Sequence, residues 1–412
     1  MTSPSVSVVV VSRHRPEELR KCLLALKLQT AMDFEVVLVG DAGISRVISE
    51  LMLTDRVKFS EFDIPNISRA RNIGISLAAG DVVAFIDDDA VAEPTWLKRL
   101  TAPFMQGEVA AAGGFVRGRN GISYQWKAEA IGQTGDSEPI DVARTTLLEG
   151  TEYRAIKTQG TNCAFRRDVL VRLGGFDESY HFYMDETDLN VRIGQAGLLT
   201  AIVPDAEVQH GYAKSARRTQ SRAPRSLFDI GASRAYFLKK FGQDIGRIDR
   251  YRAHQRDRLC RLMVRGELEP GAVKSLIETY DDGVMDGLKR ESITANIPKK
   301  VGKLLPFLLA QNSGHQVIFG RRRLQKRLFA TACDHISRNA AVTVMVFSRT
   351  ALFHRRWFHR DGYWVQSGGL YGRSDRSDPI YKRYSTRARA ERECQMLSKT
   401  RDIVDAPKRP QR

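Results

Sequence analysis

No two of the five cysteines, Cys22, Cys163, Cys260, Cys333 and Cys394, lie close together in the sequence. That spacing excludes a zinc ribbon, argues against a disulfide framework and fits a reducing compartment. Long apolar runs are also missing. The best candidate, residues 340–347, is far shorter than the roughly 20 residues a membrane-spanning helix needs. The first residues lack the charged-then-apolar pattern of a secretion signal, and residues 6–11 have the composition of a strand instead. There is no internal repeat. Acidic residues are scarce only toward one end. From residue 301 onward 23 Lys and Arg face 8 Asp and Glu, a net +15 out of the chain's +17. The basic character therefore belongs to the tail, whose electrostatic partners could be anionic lipid, nucleic acid or an acidic polymer. The expectation is a cytoplasmic protein, with peripheral contact at the inner face of a membrane left open.

What is present is an alternation of strand and helix. Residues 7–12 and 34–39 are β-branched runs suited to strands buried on both faces. Between them Arg15-Pro16-Glu17-Glu18 opens a helix, with proline suited to the first turn and the acids to the dipole. Strands are expected at 57–62 and 82–86, with a helix over 67–79 between them. Such alternation predicts a mostly parallel, doubly wound sheet, in which ligands bind at the carboxyl ends of strands. Residues 107–139 look less regular, with strands and a loop that shapes an acceptor side expected there. Helices follow over 168–173, 185–195, 227–241 and 270–288, and short strands over 198–203 and 206–210. In the tail, 342–347 is expected as a strand, 362–378 as loop, and the end beyond 385 as helix-like and then disordered.

Four groups of residues could carry chemistry. Asp87-Asp88-Asp89 end the strand at 82–86. Adjacent carboxylates repel, and such a triplet makes sense around a divalent cation; a solvated acidic turn is the plainer explanation. Asp185, Glu186 and Asp188 crowd a helix start, where the dipole favours ionisation and a neighbouring carboxylate raises a pKa. A base poised for a hydroxyl proton could arise there, although acidic first turns are common. His210 ends a strand and could ligate a transition-metal ion, though a lone histidine is usually structural. Arg69 and Arg71 lie in the helix that precedes the aspartate strand, where a solvated face is the ordinary role and phosphate or base binding the special one.

In their order these features resemble the family 2 glycosyltransferases, inverting enzymes with the fold called GT-A. The matching blocks are 8–19, 34–43, Ala70-Arg71-Asn72-Ile73-Gly74 with Gly80-Asp81, Phe85-Ile86-Asp87-Asp88-Asp89, 160–166, Gly174-Gly175-Phe176-Asp177-Glu178, 185–189 and His210. They span about residues 5–245. The resemblance implies an α/β, GT-A-type (Rossmann-like) mostly parallel sheet flanked by helices, with a mixed, α-rich basic C-terminal extension. It implies transfer of a sugar from a nucleotide-diphosphate-sugar to a hydroxyl on a glycan or lipid-linked acceptor, in surface polysaccharide or glycolipid synthesis. It also implies roles. Ser12, Arg13, Asp41 and Arg71 would hold the nucleotide, and Asp87 and Asp88 the ribose and sugar. Asp89, from this DXD-like triplet, and His210 would ligate Mn²⁺ or Mg²⁺. Glu186 would be the general base, with Asp185 its nearest rival and Asp188 a brace. The sequence departs from the family at Val11, Arg13, His14 and Gly40, where proline, tyrosine, asparagine and aspartate are usual, and at Glu186, where aspartate is the commoner base.

The expected organisation is a transferase domain over 1–245, a helical extension over 246–300 and a basic region over 301–412. The alternative reading is a catalytically inactive nucleotide-sugar-binding or scaffold protein with a membrane- or nucleic-acid-binding tail. Arg321-Arg322-Arg323, Lys326-Arg327 and Arg355-Arg356 alternate with Phe319, Phe329, Phe353, Trp357 and Phe358. That pattern suits packing on the catalytic domain first, a membrane surface second, and single-stranded nucleic acid last.

Overall fold

The computed structural model describes residues 3–30, 33–211, 217, 219, 223–299, 302–307, 314–338, 340–403 and 405–409. Its first part alternates as the sequence suggests: β1 (Val6–Ser12), α1 (Pro16–Leu26), β2 (Phe34–Gly40), α2 (Gly43–Glu50), β3 (Val57–Glu61), α3 (Ile67–Leu77) and β4 (Val82–Ile86). β5 (Ala90–Ala92), α4 (Trp96–Thr101) and β6 (Val109–Arg117) follow. After them come β7 (Tyr124–Trp126), β8 (Ala128–Gly132), β9 (Ser137–Ile140), β10 (Thr146–Glu149), β11 (Arg154–Lys157), β12 (Asn162–Arg166), α5 (Arg167–Arg172), α6 (Asp185–Gln195) and β13 (Leu199–His210).

The main sheet runs β10-β13-β6-β12-β4-β1-β2-β3, with β5 on β13 and β7 on β6. β3, β2, β1 and β4 are parallel neighbours, and β12 enters antiparallel between β4 and β6. This is the mostly parallel, helix-flanked sheet expected of a GT-A-type fold. Its two faces bury separate apolar layers, Val8, Val10 and Leu38 with Leu23 on one, Val9, Val37 and Phe85 with Phe176 on the other. The one charge in the middle of β2, Glu35, is wholly buried. It survives there because Ser7 Oγ (2.6 Å), Lys58 Nζ (2.8 Å) and the Ala79 and Leu305 amides surround it. Burial opposes its ionisation, but these partners win and hold it below the usual carboxylate range.

The strands expected within 107–139 are β6 to β9; β6 is a central strand built largely of Ala and Gly, whose weak strand propensity is overridden by its place in the sheet. One local expectation changes. The two short strands expected at 198–203 and 206–210 are one strand, β13, which passes Pro204 on an irregularity in its pairing with β6 between Val203 and Val208.

Three helices, α7 (Phe228–Lys240), α8 (Arg247–Val264) and α9 (Pro270–Lys289), pack together through Leu227, Tyr251, Leu259, Leu276 and Tyr280. The chain then forms β14 (His315–Arg321), α10 (Gln325–Ile336), β15 (Ala341–Ser348), β16 (Arg355–Phe358), β17 (Trp364–Gly369) and α11 (Thr386–Leu397). These build a four-stranded sheet of their own, β14-β15-β17-β16, apart from the main sheet and the small β11-β8-β9 sheet. Strand β17 lies inside the stretch expected as loop, where Gly and Ser mask a buried Trp364-Val365-Gln366 core. The helix expected after 385 is α11, and the end beyond it, expected to be disordered, hydrogen-bonds back to β14 as far as Lys408, whose amide donates to Val317 O; residues 404 and 410–412 lie outside the described residues.

This C-terminal unit is fastened to the first sheet. Arg401 Nε and Nη2 grip Glu93 at 2.6 and 2.8 Å, and Arg401 Nη1 donates to Thr343 Oγ1 at 2.6 Å. Both ion-pair partners are almost completely buried. Phe358 and Trp364 pack on Ala25 and Val91. The Arg356 amide donates to Asn120 O, and Gln209 Nε2 donates to Arg356 O, both at 2.8 Å. Of the five aromatics interleaved with the basic residues of the tail, Phe319 and Phe358 are core, Phe329 and Trp357 pack partly buried against it, and Phe353 is exposed.

Candidate active site

The carboxyl ends of β1 and β4 lie side by side, so Ser12 and the aspartate triplet meet. Ser12 Oγ donates to Asp88 Oδ2 at 2.8 Å, and Arg15 Nη1, from the first residue before α1, reaches Asp88 Oδ1 at 2.9 Å. Arg15 also stands 3.6 Å from Asp89. Burial, with Asp89 and Asp87 as like-charged neighbours, pushes Asp88 up to about 7 against the pull of Arg15 and Ser12. The triplet is thus an under-neutralised, half-enclosed group of acids.

At the far end of β13, His210 faces the triplet, with Nε2 3.1 Å from Asp89 Oδ1. Its other ring nitrogen, Nδ1, sits 3.1 Å from Gln125 Oε1, and Trp126 stacks on the ring at 5.9 Å between centroids. With Nδ1–H donated to the amide oxygen, Nε2 presents a lone pair toward a carboxylate, an arrangement that a cation between them satisfies. One ligand atom from each of Asp87, Asp89 and His210 lies within 4.8 Å of the others. Two carboxylates suit Mg²⁺ or Mn²⁺, and the imidazole tilts the choice toward the transition ion. The residues present fit a divalent cation.

Arg71 is the joint between the triplet and the second acidic group. Projecting from α3 and buried, it donates from Nη1 to Asp185 Oδ2 at 2.5 Å and from Nη2 to Asp87 Oδ1 at 3.4 Å and Gly160 O at 3.1 Å. A Cβ on Gly160 would lie 2.7 Å from Arg71 Nη2, so only glycine leaves the guanidinium this path. Burial works against its charge, but Asp185 and Asp87 raise its pKa above that of ordinary arginine. Asp185 is therefore committed to an ion pair. Glu186, next to it and partly buried, is not. Burial first, then the charge of Asp185, push Glu186 up to about 8 against Lys157 and Arg71. Asp188 is the brace the sequence suggested, held by Arg192 Nε at 2.7 Å and Lys240 Nζ at 2.6 Å.

The turn into α6 is strained. Tyr183 and Met184 have φ of +72° and +70°, left-handed values that cost a side-chain-bearing residue roughly 1–2 kcal/mol each. The surroundings hold them: Met184 is buried, Ser233 Oγ donates to Phe182 O at 2.8 Å, and Arg234 Nη2 donates to Tyr183 OH at 3.0 Å. Such strain, kept by neighbours, aims Asp185 and Glu186 off the helix start.

The remaining candidates divide. Asp41 accepts from the His14 amide at 2.6 Å and the Gly43 amide at 2.9 Å; burial opposes this charge, but the two donors hold its pKa down. It shapes the ends of β1 and β2. Arg13 turns away to Asp63, at 2.7 Å, and stands apart from the triplet's hydrogen bonds. A Cβ on Gly40 would collide with the carbonyl oxygen of Ser12, so the aspartate common at that position has no room on this backbone. Sequence reasoning missed Arg15, Gln125, Trp126 and Thr161, whose Oγ1 donates to Asp87 Oδ2 at 2.5 Å. Arg15 carried no signal beyond its place before a helix, and Gln125 and Trp126 sit in a stretch where strands and a loop were expected but neither residue was singled out.

Residues 7–174 match the family model described as glycosyl transferase family 2. This segment is a family 2 glycosyltransferase domain. The chain is 25% identical over 249 residues to the uncharacterized glycosyltransferase YwdF of Bacillus subtilis, a match covering 58% of this chain and 84% of that one. It is 28% identical over 233 residues to the glucosyl-dolichyl phosphate glucuronosyltransferase of Haloferax volcanii, covering 50% of this chain and 68% of the relative. Among solved structures, the mannosyltransferase PcManGT of Pyrobaculum calidifontis in complex with GDP-Man and Mn2+ aligns with a TM-score of 0.43 and 16% identity, over 70% of this chain and 88% of that one. The glycosyltransferase domain thus holds every candidate residue except those of α6 and His210, which lie just beyond the matched segment.

Proposed function

We propose that this glycosyltransferase moves a sugar from a nucleotide-diphosphate-sugar to a hydroxyl acceptor with inversion, dependent on a divalent cation. The observation that carries the reading is the convergence of Asp87, Asp89 and His210 within 4.8 Å, together with a Glu186 that burial and the charge of Asp185 push up to about 8. Asp89 and His210, with Asp87, would hold the cation. A bound Mn²⁺ or Mg²⁺ supplies charge that offsets the negative charge of a departing diphosphate.

The chain's own groups do the rest. Ser12 and Arg15 each hold one oxygen of the Asp88 carboxylate and so fix it beside Asp89. Arg71 orients Asp87 and Asp185 together and keeps a positive charge beneath the site. Glu186 takes the proton of the acceptor hydroxyl as that oxygen attacks the anomeric carbon from the face opposite the leaving group. A carboxylate with a raised pKa is a stronger base than an ordinary one, and Asp185, tied to Arg71, is the weaker competitor. A glycan or lipid-linked acceptor, and a setting in surface polysaccharide or glycolipid synthesis, follow from the resemblance noted above. An inactive sugar-nucleotide-binding role is the less favoured reading, since all the acids of the site are present and Glu186 is left without an ion-pair partner in the hydrogen-bonding scheme described.

The test is donor hydrolysis. Purified protein is incubated with UDP-, GDP- and dTDP-sugars in Mn²⁺, Mg²⁺ or EDTA, and released nucleoside diphosphate is measured. Release from one donor that EDTA abolishes and Asp89→Ala loses is the expected result. Equal release in EDTA, or an unaltered Asp89→Ala protein, would refute the cation's role.

A further inference from the structure

The C-terminal unit leaves one surface that its own packing does not use. Leu352 and Phe353 are each 63% exposed, Ile380 71% and Tyr381 55%, on the loop from β15 to β16 and the loop from β17 to α11. The two loops are tied together. The Tyr371 amide donates to Thr350 O at 3.1 Å, the Lys382 amide donates to Tyr371 O at 3.3 Å, and the Tyr371 and Tyr381 rings meet at 5.6 Å. The four apolar side chains therefore belong to one area rather than to scattered sites. Exposed cations flank them: Arg349 before the first pair, Lys382 and Arg383 after the second. The acids of the second loop are already engaged. Asp378 pairs with Arg392, and Asp375 accepts from Ser377 at 2.6 Å.

We propose that these two loops form a docking surface for an anionic lipid bilayer. Large aliphatic and aromatic side chains set at loop tips and fringed by Arg and Lys are complementary to a surface that is apolar below and negative at its head groups. Leucine and isoleucine decide between the polyanions. They gain by leaving water for acyl chains, whereas a nucleic acid offers them no stacking partner and reads aromatics and arginine instead. The +15 of residues 301–412 gives the long-range attraction. The surface also adjoins the site. Arg376, in the same loop as Ile380, donates from Nε to Ser123 Oγ at 3.2 Å, at the loop leading into β7, whose Gln125 and Trp126 contact His210.

The experiment is co-sedimentation of the full chain with vesicles of phosphatidylcholine alone or with phosphatidylglycerol. The expected result is binding that needs phosphatidylglycerol and weakens as ionic strength rises from about 0.1 to about 1 M, where the screening length falls from about 10 to about 3 Å. Lys382→Glu with Arg383→Glu should lower the partition coefficient by at least about 25-fold, from roughly fivefold per charge lost. Leu352→Ser with Phe353→Ser should lower it roughly tenfold by removing buried apolar area. All four side chains are exposed, so the variants should keep the wild-type circular dichroism. Amide exchange of the unaltered protein gives a second reading, with protection at 349–353 and 379–383 expected only when anionic vesicles are present. No binding to anionic vesicles overturns the proposal. So does binding that the serine variant retains in full, or protection elsewhere, since either would mark a general polyanion surface. The readout is binding, so it stands or falls separately from sugar transfer.

Discussion

Replacing Arg401 by alanine should be among the most damaging single changes in the chain, although it lies far in sequence from every candidate active-site residue. Its guanidinium holds Glu93 through two bonds of 2.6 and 2.8 Å, bonds Thr343, and stacks over Trp364 at 4.3 Å. Burial opposes the charge on Glu93, and Arg401 first, then Arg356 and Arg117, keep it ionised. Removing Arg401 leaves a carboxylate that is 1% exposed without its bidentate partner. Breaking a buried pair from one side costs about 3–5 kcal/mol, against at most about 1 kcal/mol for a surface pair. Urea unfolding of the full chain, followed by tryptophan fluorescence, reads the loss as a lower transition midpoint, because tryptophans lie in both parts, Trp96 and Trp126 in the first and Trp357 and Trp364 in the C-terminal unit. Glu93→Gln in the same background should restore part of the loss, since it removes the orphaned charge. A loss below about 1 kcal/mol, or a double variant worse than the sum of the singles, would refute the idea that this pair fastens the two sheets.

Two further outcomes follow from the site. Glu186→Gln should keep donor binding and lower transfer by roughly 10²- to 10⁴-fold, while in the wild type transfer should climb with pH toward about 8 as Glu186 loses its proton; a normal rate in the variant would remove the role. Asp177 is held down to about 2: burial opposes its charge, but Lys240, Tyr236 and the Ile293 amide outweigh it. Its folded pKa lies below the ordinary 3.8, so its stabilisation is present above about pH 4 and is lost as pH falls through about 2. The difference is worth about 2 kcal/mol. The stability gap between wild type and Asp177→Asn should therefore narrow between pH 5 and pH 2, and a constant gap would show that Asp177 titrates normally.

The strands that end in the site were legible because each is an apolar, β-branched run closed by a polar residue: 7–12 before Arg13, 34–39 before Gly40-Asp41, 82–86 before the triplet. Period and punctuation are local, and local signals survive in one sequence. Strands were expected within 107–139, but the central place of β6 was not legible, since its Val109-Ala-Ala-Ala-Gly-Gly start has weak strand propensity and gains its position from the flanking β12 and β13. β17 hid for the same reason behind Ser367-Gly368-Gly369. The Arg401–Glu93 pair spans 308 residues, and nothing in either neighbourhood marks it. Arg71 had the appearance of a solvated helix face, and only the fold shows it buried between two acidic groups that are 98 residues apart, Asp87 and Asp185.

The pair Asp185 and Glu186 shows how the fold separates two groups that the sequence treats alike. Both lie in the first turn of α6, feel the same helix dipole and follow the same strained turn. A dipole alone would favour ionisation of both. Arg71 breaks the symmetry. By closing to 2.5 Å on Asp185 it satisfies that carboxylate, and the satisfied charge then acts on Glu186 as a fixed anion that raises its pKa. The same guanidinium reaches Asp87, one of the three residues that converge around the cation site. Losing Arg71 would therefore leave Asp185 and Asp87 without their shared countercharge in one step. A positive charge that bonds both acidic groups at once explains why an arginine is buried in α3, where a helix packed on a sheet would otherwise place an apolar residue.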